Sequence, residues 1–143
     1  MKKQILLLFV TLLSITAFAQ KAKKLENTIA IKGYDPVAYF QENKAVKGNQ
    51  KIASVQNNKT YYFASEENKA LFIKNPVNYE PQYAGYCAYG MSENHEAPIE
   101  PEAFTIVDNK LYLNYNIETR TAWQKQQKER ISKANTNWST FKK

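Results

Sequence analysis

The residues with the most capacity for chemistry in this sequence are a cysteine, a methionine and a histidine close together in the chain. Cys87, Met91 and His95 are spaced four residues apart, and the chain has no other cysteine or histidine among its 143 residues. Thiolate and thioether sulfur favour Cu(I), and imidazole binds copper or zinc. If a helix carried all three side chains on one face, the spacing would give a copper site.

A structural interpretation of the same three residues is simpler, and we favour it. A free cysteine is usually a small buried core residue, and Gly90 and the polar segment 92–94 interrupt a continuous helix through the motif. Cys87 would then lie in the core, Met91 would pack there, and His95 would lie on a surface loop. We therefore expect Cys87 to be buried and its thiol to react slowly in the folded protein.

A thiol-dependent enzyme or redox protein is the alternative that this cysteine and histidine leave open. Nucleophilic catalysis needs a thiol beside an oriented base, and Cys87 with His95 would supply that pair, with Glu96 or Asp108 as the orienting carboxylate. No second cysteine is present to resolve a sulfenic acid, so a self-contained redox cycle is excluded. One observation separates the interpretations, because thiol chemistry requires Cys87 to be exposed and near His95.

Tyrosines are the other abundant chemical feature, with ten in the chain. Tyrosine combines an apolar ring with a polar hydroxyl, which suits both a binding surface and a small core. Core packing is the simpler interpretation. A predicted ligand surface would consist of Tyr34, Tyr39, Tyr83 and Tyr86, and such an aromatic wall favours a neutral or cationic ligand over a phosphate.

The N-terminal segment predicts export. Two lysines precede an apolar run over residues 5–18, and alanines at 17 and 19 flank Phe18, which is the pattern of a secretory signal peptide. The run is shorter than the roughly 17–25 residues that a spanning helix needs. We predict a signal peptide over residues 1–19, a periplasmic or secreted protein, and no transmembrane segment after cleavage.

The length and the charge of the chain limit its possible domain organisation and its possible partners. A length of 143 residues, of which 43% are hydrophobic, indicates one globular domain. We divide it into a polar linker over residues 20–32 and a single domain over residues 33–143. The formal net charge of +7 comes from scattered lysines and arginines, and export together with the lack of a recognisable motif excludes nucleic acid as the partner.

Turn and capping signals predict the elements that position these residues. Asp35 before Pro36 predicts a short capped helix. The segments 51–56 and 59–64 flank an Asn-Asn pair and predict a hairpin. Ser65 then predicts the start of a helix, which Pro76 ends.

The second half of the chain predicts a similar set of elements, although no internal repeat is evident in the residues. A helix is predicted after Pro81, a loop over 93–102, and a hairpin of 104–107 with 110–115 around Asp108-Asn109. Asn116 predicts the cap of a long helix over 117–134 with Trp123 and Ile131 buried, followed by a tail that Trp138 and Phe141 dock. The predicted class is α+β with small antiparallel hairpins.

Residues 33–79 resemble a YHS domain, a small module found beside copper and heavy-metal transporting P-type ATPases. The residues that match its pattern are Asp35-Pro36-Val37, Tyr61, Phe63, Ser65, Phe72, Pro76 and Tyr79. The segments 83–88 and 108–114 resemble an exported subgroup with a single YHS domain, for which no reaction is established. The resemblance implies a YHS-like scaffold with a C-terminal extension and a link to metal handling.

The family's metal ligands are not retained. Ala38, Ala64 and Asn68 stand at the positions of the three family cysteines, and Phe40 replaces the methionine. Alanine and phenylalanine offer no lone pair to a metal ion, so we expect no metal at the family's usual site. The sequence therefore predicts an exported, non-enzymatic binding module with an unidentified ligand, and copper remains a candidate only at the Cys87 motif.

Overall fold

The computed structural model describes residues 28–141, and its α+β architecture confirms the predicted class. The predicted signal peptide and residues 20–27 of the linker lie outside the described residues. The four strands are β1 (Asn49–Gln56), β2 (Lys59–Phe63), β3 (Glu100–Val107) and β4 (Lys110–Asn114). The helices are α1 (Ala38–Glu42), α2 (Glu66–Lys74), α3 (Ala88–Ser92), α4 (Ile117–Lys125) and α5 (Gln127–Phe141), with short 3-10 turns at Ala30–Gly33, Pro76–Asn78 and Gln82–Gly85.

The first predicted hairpin and the helix after it are confirmed. β1 and β2 pair antiparallel through Asn57 and Asn58, whose φ angles of 50° and 61° suit a tight two-residue turn. The Ser65 hydroxyl accepts a hydrogen bond from the Asn68 N–H at 3.1 Å and so caps α2. The helix ends at Lys74, before Pro76, as predicted.

The segment after Pro81 differs from the single helix predicted there. Tyr83 and Ala84 adopt positive φ angles of 57° and 53°, so the chain forms a left-handed turn over Gln82–Gly85 before α3 begins. β3 begins at Glu100, so the predicted loop over 93–102 ends earlier than expected. The second hairpin turns at Asp108 and Asn109 as predicted.

The predicted long helix is two helices. The Asn116 side chain accepts from the Thr119 N–H at 2.7 Å, which confirms the cap. Gln126 has a φ of −128° and separates α4 from α5. Trp123 is fully buried as predicted, whereas the tail prediction is correct only in part, because Trp138 packs against the core and Phe141 is 37% exposed.

The start of the described chain is packed against the domain rather than forming a linker. The Thr28 carbonyl accepts a hydrogen bond from the Thr60 N–H at 2.8 Å. Ala30 and Ile31 are buried in the core. The folded unit therefore begins before residue 33, the predicted start, because two apolar side chains of the expected linker have a place in the core.

The described chain contains an internal structural repeat, contrary to the reading of the sequence. Residues 29–74 and residues 81–125 each run through a left-handed turn, a five-residue helix, a hairpin and a nine-residue capped helix. We call these segments the first and the second repeat. The turns match in backbone angle, with positive φ at Ile31, Lys32 and Gly33 and again at 83–85.

The hairpins and the nine-residue helices of the two repeats match residue for residue. Each hairpin has an eight-residue strand, a two-residue left-handed turn and a five-residue strand. Each also has the same irregularity, between Asn49 and Ala53 in one and between Glu100 and Phe104 in the other. The aromatic pairs between hairpin and helix are equivalent too, namely Tyr61–Phe72 and Tyr112–Trp123.

The two repeats share a core. One apolar cluster contains Tyr61 and Phe63 of the first repeat together with Leu111 and Leu113 of the second. Tyr39 of α1 crosses between them, because its hydroxyl donates to the Pro101 carbonyl at 2.9 Å and its ring contacts another ring of β3. No helix among residues 28–141 combines the length and apolar character needed to cross a bilayer.

Candidate functional site

Cys87 lies at the point where the second repeat passes from its left-handed turn into α3. Its Sγ accepts a hydrogen bond from the Gly90 N–H at 3.4 Å, in the manner of a helix cap, and donates to Asn114 Oδ1 at 3.5 Å. The residue is 1% exposed, which confirms the predicted burial. The thiol is therefore held by two hydrogen bonds on the inner side of the hairpin β3–β4.

An open cavity of about 430 Å³ lies beside this cysteine, and we call it the Cys87 cavity. Cys87, Tyr89 and Gly90 form the wall contributed by α3. Tyr115, which precedes α4, and Glu118 and Thr119, in its first turn, form another wall. His95 also lines the cavity, as do alanines at positions 97 and 122. The volume is in the range of sites that take small molecules.

Because Gly90 has no side chain, His95 can lie close to the wall of the cavity that contains Cys87. A Cβ at position 90 would lie 3.4 Å from His95 Nε2 and 3.2 Å from the Ala97 Cβ. The Gly90 N–H bonds to Cys87 Sγ, so this one residue touches both chemically active side chains. The structure thus brings Cys87 and His95 to the same cavity, although the thiol is buried and the imidazole is exposed.

Asn114 forms the inner layer of this wall and was not predicted from the sequence. Its Oδ1 accepts hydrogen bonds from the Tyr89 N–H at 3.0 Å and from Cys87 Sγ. Its side chain is fully buried, and its Nδ2 has no hydrogen-bond partner among the described residues. The only signal in the sequence was a polar residue at the end of an otherwise apolar strand.

Met91, the third member of the predicted copper motif, is not on the cavity wall. It is fully buried in a separate apolar cluster with Trp123 and Ala134. Among residues 28–141, no group of three or more His, Cys, Asp or Glu side chains is arranged to hold a metal ion. The Cys87 cavity therefore contains a thiol, an imidazole and the Glu118 carboxylate, but it lacks the Met91 thioether that the predicted copper motif included.

The positions at which the YHS pattern has its cysteines do not fit a metal either. The Ala64 N–H and Asn68 Nδ2 both donate to Asp35 Oδ2 at 2.8 Å, so the one polar side chain there already binds within the protein. Ala38 is fully buried and contributes only its backbone N–H, to Asp35 Oδ1. A donor set of this kind supplies no soft ligand for copper or zinc.

The four tyrosines of the predicted ligand surface fall into two pairs on different parts of the molecule. The hydroxyls of Tyr34 and Tyr39 bond to neighbouring residues at the start of β3. The rings of Tyr83 and Tyr86 instead pack against Trp138 of α5. Burial raises the pKa of the Tyr39 and Tyr83 hydroxyls, in keeping with their places in the core, and none of the four lines the Cys87 cavity.

The helix α5 supports the cavity from behind. Arg130 places its guanidinium 3.7 Å from the centre of the Tyr89 ring and donates to the Ser92 hydroxyl at 2.9 Å. It also forms an ion pair with Glu93 at 2.7 Å. The hydrogen bond from Arg130 holds the pKa of the Glu93 carboxyl below its usual range. One arginine therefore fastens α5 to both ends of α3.

Comparisons with known proteins identify no relative of this chain. No protein-family model matches the chain, and no curated protein or solved structure matches it either. The resemblance to a YHS domain accordingly stays a prediction from the sequence.

Proposed function

We propose that the protein is an exported, non-enzymatic binding module that holds a small organic molecule in the Cys87 cavity. The cavity carries this proposal, because it is the place where the cysteine, the histidine and two tyrosines of the second repeat meet an open volume of about 430 Å³. Pockets of this size with a few convergent polar groups are the usual form of a small-molecule site. Export rests on the predicted signal peptide, and the YHS-like scaffold rests on the sequence resemblance.

Burial of Cys87 favours binding over catalysis. A nucleophilic thiol must meet its substrate at an exposed sulfur, whereas this residue is 1% exposed and its Sγ makes two internal hydrogen bonds. The thiol therefore contributes to the floor of the cavity. A ligand would contact mainly Tyr89, Tyr115 and the two alanines.

Thiol-dependent chemistry at Cys87 is the second candidate, and one observation favours it. His95 lines the same cavity and lies against Gly90, which is bonded to the thiol. The link to copper handling that the resemblance implies would use the same two side chains. Rapid modification of the native thiol by iodoacetamide, blocked by Cu(I), would favour this candidate over simple binding.

The proposal is tested by binding of two aromatic probes, benzyl alcohol and benzoate. We expect at least one of them to raise the melting temperature at millimolar concentration, because binding to the native state stabilises it. Ala122→Leu narrows the cavity and should abolish the shift. Leu71→Ala is the matched control, because Leu71 has the equivalent place in the first repeat and lies outside the cavity. Absence of any shift with both probes would contradict the proposal.

A further inference from the structure

In the first repeat, four hydrogen-bond donors surround the carboxylate of Asp35. The residues equivalent to these donors in the second repeat line the Cys87 cavity. Asp35 is fully buried. Its Oδ1 accepts from the N–H groups of Val37 and Ala38, at 2.8 and 3.3 Å. Its Oδ2 accepts from the Ala64 N–H and from Asn68 Nδ2, both at 2.8 Å. The site is thus a complete carboxylate cradle.

Cys87 has the place of Asp35 in the second repeat. Each residue follows a Gly-Tyr pair at the end of the left-handed turn. The Asp35 N–H donates to the Val46 carbonyl at 2.8 Å, and the Cys87 N–H donates to the Ala97 carbonyl at 3.0 Å. The Gly90 N–H bonds to Sγ just as the Ala38 N–H bonds to Oδ1.

The second carboxylate oxygen has no counterpart in the second repeat, because cysteine has a single acceptor atom. The residues equivalent to Ala64 and Asn68 are Tyr115 and Thr119, just before and inside the first turn of α4. Both line the Cys87 cavity. Within the described residues, neither the Tyr115 N–H nor the Thr119 hydroxyl makes a hydrogen bond.

A buried polar group beside the thiol has one hydrogen-bonding atom without a partner among the described residues. Asn114 has the place that Phe63 has in the first repeat. Its amide touches both Cys87 and Tyr89 of the cavity wall, and its Nδ2 has no partner among the described residues. The Asn114 oxygen accepts from the Tyr89 N–H, as Asp35 accepts from the equivalent Val37 N–H in the first repeat. Its buried and unpartnered Nδ2 has no such structural role, and an unpaired buried polar atom costs stability.

We infer that the ligand of the Cys87 cavity is a small carboxylic acid, with a carboxylate oxygen accepting hydrogen bonds from the Tyr115 N–H and the Thr119 hydroxyl. This inference rests on the proposed function and adds the ligand's chemical class. The start of α4 favours an anion. Glu118 lines the cavity, and its equivalent Glu67 immediately precedes Asn68, which donates to the Asp35 carboxylate, so an acidic residue at this position is compatible with a bound carboxylate.

The rest of the cavity lining indicates the chemical character of the ligand beyond its carboxylate. Tyr89 and the alanines at 97 and 122 present mainly apolar surface, which suits a short hydrocarbon or aromatic body. Cys87 and His95 lie at this side of the cavity as well. The class is therefore a monocarboxylate with an apolar body, rather than a sugar acid or a phosphate ester.

The test compares benzoate with benzyl alcohol, which has the same ring and no charge, by isothermal titration calorimetry on the whole folded protein. We expect benzoate to bind at least tenfold more tightly, because it gains two hydrogen bonds to a charged acceptor. Equal or tighter binding of benzyl alcohol would overturn the carboxylate inference while leaving the proposed function intact. Failure of both probes to bind would overturn the proposed function itself.

A pair of substitutions makes the second repeat resemble the first. Cys87→Asp with Thr119→Asn supplies an internal carboxylate and its side-chain donor, so benzoate binding should be lost. Retained benzoate affinity in that folded double variant would contradict the inference. Thr119→Val removes one donor with little change in shape, so it keeps the test decisive should the double variant fail to fold, and we expect it to weaken benzoate at least fivefold.

Discussion

Asp35 and Cys87 show how one backbone position supports two different side-chain environments. The Asp35 carboxylate receives four hydrogen bonds from the backbone and from Asn68. The Cys87 thiol receives one, from Gly90, and gives one to Asn114. A carboxylate without partners would be costly inside a protein, so the complete set around Asp35 identifies it as a structural residue.

Asp35→Asn should destabilise the protein by about 2–3 kcal/mol, because the new amide nitrogen faces N–H donors that the carboxylate accepted from. Urea unfolding followed by circular dichroism measures this loss. Glu67→Gln, an exposed carboxyl in the first turn of α2, should change the free energy of unfolding by less than about 0.5 kcal/mol. A loss at Asp35 as small as that of the control would show that the cradle does not stabilise the fold.

Cys87→Ser should cost roughly 1–3 kcal/mol, because a more polar and smaller group replaces a thiol that is 1% exposed. The native thiol should react slowly with 5,5′-dithiobis(2-nitrobenzoic acid), and quickly once urea has unfolded the chain. The labelling rate at increasing urea concentration gives both values. Rapid labelling without urea would contradict the burial and favour thiol chemistry.

At the level of secondary structure, the packing of the helices explains how the cavity keeps its shape. α3 has only five residues, so it depends on its neighbours for a fixed position. Arg130 of α5 supplies the contacts, through the Tyr89 ring, the Ser92 hydroxyl and the Glu93 carboxylate. The packing of α5 is therefore expected to affect the site, even though this helix does not line it.

Glu93→Gln should make stability less dependent on pH in the acid range. Arg130 lowers the pKa of Glu93 in the folded protein, so its stabilising effect is present above the pKa of the unfolded chain and is lost as pH falls through the folded value. We expect wild type to exceed the variant in stability at pH 7, and the difference to be smaller at pH 3, below the reference pKa of about 4.3 for a glutamate in an unfolded chain. In an Arg130→Gln background the difference should be absent at both pH values, and a difference that persists would exclude this ion pair as its cause.

Ala84→Gly should stabilise the protein by about 0.5–1 kcal/mol, because Ala84 has a φ of 53° and a non-glycine residue is strained in that region. Lys32→Gly is the equivalent change in the first repeat, with a φ of 51°, and should have the same sign. Thermal unfolding of the three proteins measures both effects. Ala70→Gly in α2 is the control and should destabilise, since its backbone is helical.

Residues 28–141 form two repeats around a shared core, followed by α5, which predicts a single unfolding transition. Trp123 in the second repeat and Tyr39 between the repeats are both fully buried. Tyr39→Phe removes the hydrogen bond to the Pro101 carbonyl and should cost about 1–2 kcal/mol. Tryptophan fluorescence and far-ultraviolet circular dichroism should give coincident urea curves for both proteins. Separate midpoints would show that the repeats unfold independently.

Local signals predicted most of the elements. The turns at Asn57-Asn58 and Asp108-Asn109, and the caps at Ser65 and Asn116, follow from the conformational preferences of single residues, and the structure has all four. The break at Gln126 was missed because no glycine or proline marks it. Burial of Cys87 was predicted from residue type and small neighbours and is confirmed.

The cavity and the repeat could not be predicted in the same way. Tyr115, Thr119 and Asn114 are distant in sequence from Cys87 and meet it only through the hairpin and α4. The repeats share backbone geometry while their equivalent side chains differ, as Asp35 and Cys87 do. Identical residues recur at only a few equivalent places, among them the Gly-Tyr pair, Tyr61 with Tyr112 and Glu67 with Glu118. They are too scattered for a pattern visible in one sequence.

The most direct test of a carboxylate site in the Cys87 cavity is a titration of the ¹⁵N-labelled protein with benzoate, followed by amide NMR spectra. We expect saturable shifts at the amides of Gly90, Tyr115 and Thr119, residues that line the Cys87 cavity. The equivalent amides of Ala38, Ala64 and Asn68 in the first repeat should stay in place, because Asp35 fills that cradle. Saturable shifts confined to other surfaces, or no shifts at the cavity amides, would contradict the presence of this site.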